Sequence, residues 1–167
     1  MGEYWLIAAV GLYTLYSVIG ISSFLGTNPD TDRSFSWIGT ADEGNIGRNM
    51  QFAAYISVHG VLGSVVYALL LGCKQHVSRA TLPALIFAFQ YATGSIGVRT
   101  DHLPHNVCAG IAFGANLLAA VFALIVRKPK YAITVGKIAV SKLVGYGLVA
   151  ASAALLIAFA AGGPDVC

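Results

Sequence analysis

Three polar side chains stand inside otherwise apolar stretches and are the first places where this sequence could bind or react: His59, Gln90 and Asn116. An imidazole can ligate a metal or haem iron, carry a proton or simply hydrogen-bond, whereas the two amides only donate and accept. A second constellation is Asp101-His102-Leu103-Pro104-His105, a carboxylate and two imidazoles within five residues. Those ligand types suit a divalent metal, and Asp42 or Glu43 from an earlier loop could complete the set. Solvated polarity at a loop end is the simpler meaning of the same residues.

The elements that must position these groups follow from composition. The 167 residues are 57% hydrophobic and 10% charged, with a mean hydropathy of +0.74, where a soluble domain carries roughly a quarter charged residues. So much apolar surface requires a lipid bilayer, and no length remains for a large soluble catalytic domain. No basic block points to nucleic acid. Apolar runs bounded by charge predict five spans at about 5–26, 51–73, 81–98, 107–126 and 138–161, each near the ~20 residues a bilayer core requires. Within lipid each must be helical, because an open strand leaves N–H and C=O groups unpaired where there is no water. The expected fold is therefore an all-α membrane protein, one polytopic domain over 1–167 built as a bundle of about five transmembrane helices. The start of the chain lacks a basic n-region, which argues against a cleaved signal peptide. The long loop over 27–50, with Phe35 and Trp37, reads as ordered at the interface.

Lys and Arg on alternate sides predict the orientation. One side holds Lys74, Arg79, Arg127, Lys128, Lys130, Lys137 and Lys142, and the other holds Arg33, Arg48 and Arg99. The N-terminus is thus expected inside and the C-terminus outside, together with six of the seven acids. Which membrane is involved is not encoded.

At mid-depth, His59, Gln90 and Asn116 fall on the second, third and fourth helices, whose short connections would let them meet in one interior polar layer. Interhelical hydrogen bonding is the first meaning and a bound ligand the second. Haem on His59 would need a second axial ligand; His102 and His105 lie at the outer end of helix four, within reach only of a tilted ring. Gly110 with Gly114 forms GxxxG, and Gly60 with Ser64 a small-xxx-small pair, positions that let helix backbones approach closely. Val144-Gly145-Tyr146-Gly147 sits in an uninterrupted apolar run and lacks the re-entrant loop of an ion filter. Cys73, Cys108 and Cys167 form no metal-binding or redox spacing; Cys108 and Cys167 share the expected outer side, so that they are either paired or free thiols.

The run Gln90-Tyr91-Ala92-Thr93-Gly94, followed by Arg99 and a glycine-rich apolar helix, resembles the third and fourth spans of the MAPEG family of small membrane glutathione-dependent transferases and isomerases. The resemblance implies a trimer with glutathione between subunits and Tyr91 and Arg99 near the thiol or its carboxylates, since a guanidinium can clamp a carboxylate bidentately. Arg48-Asn49-Met50-Gln51 gives adjacent residues and no Glu where that family spaces its glutathione-holding groups along a helix, so those roles are not carried over.

Nearly charge-free, glycine-rich spans point to packing. The expected function is a non-catalytic integral membrane subunit or scaffold, with the lipid bilayer and other membrane subunits or further copies of the chain as partners. A MAPEG-like glutathione enzyme and a haem- or quinone-binding anchor are the alternatives.

Overall fold

The computed structural model describes residues 2–27, 46–74, 76–96, 102–126 and 133–162. These form five α-helices: α1 (Gly2–Thr27), α2 (Ile46–Leu71), α3 (Thr81–Ser95), α4 (His102–Val126) and α5 (Val140–Gly162). Four of them are long and apolar enough to cross a membrane, over Glu3–Gly20, Met50–Leu71, Leu103–Val126 and Val140–Ala158.

Helix ends differ from the sequence expectation for local reasons. Helix α2 stops at Leu71, not 73, because Gly72 takes the left-handed conformation at φ 66°. Its N–H bonds the Leu69 carbonyl while that of Cys73 bonds Ala68, the pairing of a Schellman cap. The Arg79 guanidinium adds a bond to the Leu71 carbonyl at 3.0 Å, a cation at the negative end of the helix dipole. Helix α4 starts at His102, earlier than expected, since Pro104 falls in its first turn, where a missing N–H costs nothing. Helix α3, expected to reach residue 98, ends at Ser95, where Ile96 turns extended. At 15 residues it is about 22 Å long, preceded by a 3-10 turn over Val77–Ala80.

The last connection also departs from expectation. Part of it is a two-stranded hairpin, β1 (Thr134–Val135) and β2 (Ile138–Ala139), with Thr134 opposite Ala139 and Val135 opposite Ile138. Gly136, at φ 62°, supplies the positive φ that opens a two-residue turn of the II′ kind. Helix α5 therefore starts at Val140 rather than 138.

Consecutive helices run antiparallel. Tyr13 lies by His59 and Tyr16 by Tyr55, Gly60 by Gln90 and Gly94 by Ile56, His105 by Ile96, and Gly145 by Leu124. Helix α2 packs on α1, α3 and α4, and α4 on α2, α3 and α5. One end of the bundle thus gathers the N-termini of α1, α3 and α5 with the C-termini of α2 and α4. The apolar core lies toward that end: Leu6, Val66, Tyr67, Leu70, Leu71 and Ile86 close around Ala115, Ala119, Ala120 and Ala123. Alanine on this face of α4 keeps three neighbours within reach, which bulkier side chains would push apart.

Candidate functional site: an interior layer of polar and aromatic side chains

Beyond the apolar core, toward the middle of the bundle, the polar residues of α1, α2 and α3 converge. The half-buried His59 ring places Nδ1 3.5 Å from Gln90 Oε1, a long hydrogen bond between α2 and α3. With Oε1 as acceptor, the imidazole carries its proton on Nδ1 and leaves Nε2 as the lone-pair nitrogen. Tyr13 of α1 lies against the same ring at 4.6 Å between centroids, and Tyr55, one helical turn before His59, at 5.8 Å. Tyr55 in turn stacks on Tyr16 at 5.5 Å and 12°, and the Tyr16 hydroxyl donates to the Tyr55 carbonyl at 3.5 Å.

Two glycines set how closely these helices approach. A Cβ on Gly20 would overlap the Tyr55 ring, and one on Gly60 would sit 3.0 Å from Gln90 Oε1. Gly60 thus makes room for the amide that meets His59. One turn further, the Ser64 hydroxyl lies 2.7 Å from its own-helix Gly60 carbonyl and 2.9 Å from Pro83 O of α3. Its single proton is shared between them. Nearer the core end, Tyr67 of α2 and Ser152 of α5 are both buried.

Sequence-derived positions fall out unequally. His59 and Gln90 meet; Asn116 does not join them, because its Nδ2 donates to Ala112 O of its own helix at 2.7 Å. His105, read above as possible loop-end polarity, is fully buried. Its Nδ1 lies 2.7 Å from Ile96 O, and since a carbonyl only accepts, Nδ1 carries the proton. His105 thereby ties the start of α4 to the end of α3. Asp101, Arg99 and the side chain of His102 lie outside the described residues, as do the loop over 28–45 and Cys167. Among the described residues no three His, Cys, Asp or Glu side chains gather as metal ligands would. Tyr91 is 54% exposed and meets Phe87 at 6.3 Å, on the outer side of α3. Cys108 is half-buried on α4.

Packing glycines also divide. Gly60 and Ser64 face α3. Gly114 has no close neighbour among the described residues: a Cβ there would meet nothing within 4 Å. It lies across α4 from buried Ala112, Ala119 and Ala123, on the side of exposed Val107, Leu118, Val121 and Ile125.

The tyrosines are what the sequence reading passed over. Tyr is grouped with the hydrophobic residues by composition, so Tyr13, Tyr55 and Tyr67 do not stand out from their spans. The usable signal is depth, since Tyr favours the headgroup region and Tyr13 and Tyr55 stand well inside their helices. Chemically, the layer offers hydrogen-bond donors, one lone-pair imidazole nitrogen and stacked rings, a set suited to fastening helices together.

Fold and site together define a class: an all-α bundle, four of whose helices are long and apolar enough for a bilayer, cross-linked by interior polar side chains. No known protein family, curated protein or solved structure matches the chain.

Proposed function

We propose that this chain is a multi-pass integral membrane protein acting as a non-catalytic packing subunit or scaffold of a larger membrane assembly, with its N-terminus on the cytoplasmic, matrix or stromal side. The observation that carries the packing role is Gly114: open space over its Cα, on the outward side of α4, four residues after Gly110. In lipid, where apolar side chains gain nothing by leaving the acyl chains, close backbone approach at small residues is a main driving force for helix association. The open face at Gly114 is thus where a partner helix fits. The interior supports the same reading. Tyr16, His59, Ser64 and His105 each bond across to a neighbouring helix or its end, which fixes the bundle as a rigid building block.

The test is purification in mild detergent with Gly114→Leu beside the wild type. Wild type should migrate as an assembly, either with other subunits or with further copies of itself, and the variant should dissociate about tenfold more readily, the cost of overpacking a close contact. Equal assembly of the two removes this face from any interface. A homotrimer whose melting temperature rises with glutathione would favour the enzyme reading instead, and a Soret band lost in His59→Ala the haem reading.

A further inference from the structure

The hairpin that precedes α5 points to a second role for the basic end of the bundle. It is fixed in depth by covalent neighbours: the candidate span Val140–Ala158 begins one residue after β2. The Val140 N–H donates to the Ile133 carbonyl at 2.8 Å, closing the hairpin onto the first turn of α5. If α5 crosses the bilayer, the hairpin sits at its boundary.

The side chains suit that depth. Val135 and Ile138 are direct partners across the two strands, so they project from one face, and both are exposed, at 64% and 45%. Lys137 is exposed in the turn between them, and Lys142 is exposed in the first turn of α5. The antiparallel order puts exposed Tyr4, Trp5, Lys74 and Val77 at the same end of the molecule. Trp and Tyr with nearby Lys are what the headgroup region favours. The one carboxylate among the described residues, Glu3, is buried there. The described surface of this end therefore presents cations alone.

We propose that the Thr134–Ala139 hairpin inserts Val135 and Ile138 at the boundary of headgroups and acyl chains and that Lys137 and Lys142 hold anionic phospholipid headgroups of the same leaflet. This rests on the membrane reading above. Charge complementarity selects an anionic lipid, and the two apolar side chains beside the lysines select a lipid surface over a free anion in water.

The experiment places the full chain in lipid nanodiscs of phosphatidylcholine with or without phosphatidylglycerol. In a background without native cysteines, an environment-sensitive dye on Val135→Cys should be quenched by nitroxide-labelled lipid and shielded from aqueous iodide. Independently, phosphatidylglycerol retained by otherwise unaltered protein should fall about fivefold with each of Lys137→Gln and Lys142→Gln, the effect of removing one cation near a charged membrane surface. A dye open to iodide, or equal lipid retention in wild type and variants, overturns the hairpin proposal while leaving the membrane reading in place. A chain that stays in solution without surfactant overturns both.

Discussion

At the scale of single residues, the contact that best repays measurement is His59 with Gln90. His59→Ala should lower stability in detergent by about 1–2 kcal/mol, the range for an interhelical polar contact in a membrane bundle. A double-mutant cycle with Gln90→Leu should leave a coupling energy of that order; a coupling of zero would mean that the 3.5 Å approach is mere proximity. Cys73 gives a second residue-level test outside the spans. Burial holds its thiol above the ordinary pKa, and the nearby Arg79 guanidinium opposes that rise. Only the thiolate reacts, so maleimide labelling of Cys73 should be slow at neutral pH and speed up as pH rises. Arg79→Gln should slow it further at every pH below the thiol pKa. A rate that is flat with pH would contradict this.

Among elements, the close approaches sort substitutions by what a new side chain meets. Gly20→Leu drives carbon into a Tyr55 ring already stacked on Tyr16, and should cost about 1–3 kcal/mol of bundle stability by overpacking. Gly114→Leu meets nothing among the described residues, and the helix propensity gained over glycine makes it neutral or slightly stabilising for the isolated bundle. Thermal melts of the two variants in detergent should therefore move in different directions, while only Gly114→Leu weakens assembly. At the end of α2, Gly72→Ala forces a Cβ into the left-handed region and should cost about 1 kcal/mol.

For the whole molecule, the alternating helix directions place the N-terminus of α1 and the C-terminus of α5 at opposite ends of the bundle. Helix α3, about 22 Å long, is shorter than the ~30 Å hydrocarbon core and is the one helix outside the four candidate spans. Were all five helices to cross, the two termini would stand on opposite faces of the membrane. Protease-accessible tags at each end should be cut from different sides of sealed vesicles, the N-terminal one from the lysine-rich side; cutting of both from one side would mean an even number of crossings.

The existence, order and helical nature of these segments could be read from the residues, because an apolar run of spanning length has only one way to satisfy its backbone in lipid. Depth was legible too: His59 and Gln90 stand at matching positions along neighbouring helices. Rotation about each helix axis was not. In spans apolar on every side, hydropathy carries little directional signal, so packing alone decided that Gln90 lies on Gly60 beside His59, that Asn116 bonds its own helix, and that Gly114 faces outward. The same holds for Tyr13 and Tyr55, whose rings count as apolar in the sequence and become part of the polar layer only when α1 closes on α2. The hairpin at 134–139 escaped notice because two-residue strands are too short for a periodic pattern. Their pairing depends on one positive φ at Gly136 and on the bond from Val140 to Ile133, both properties of the folded chain.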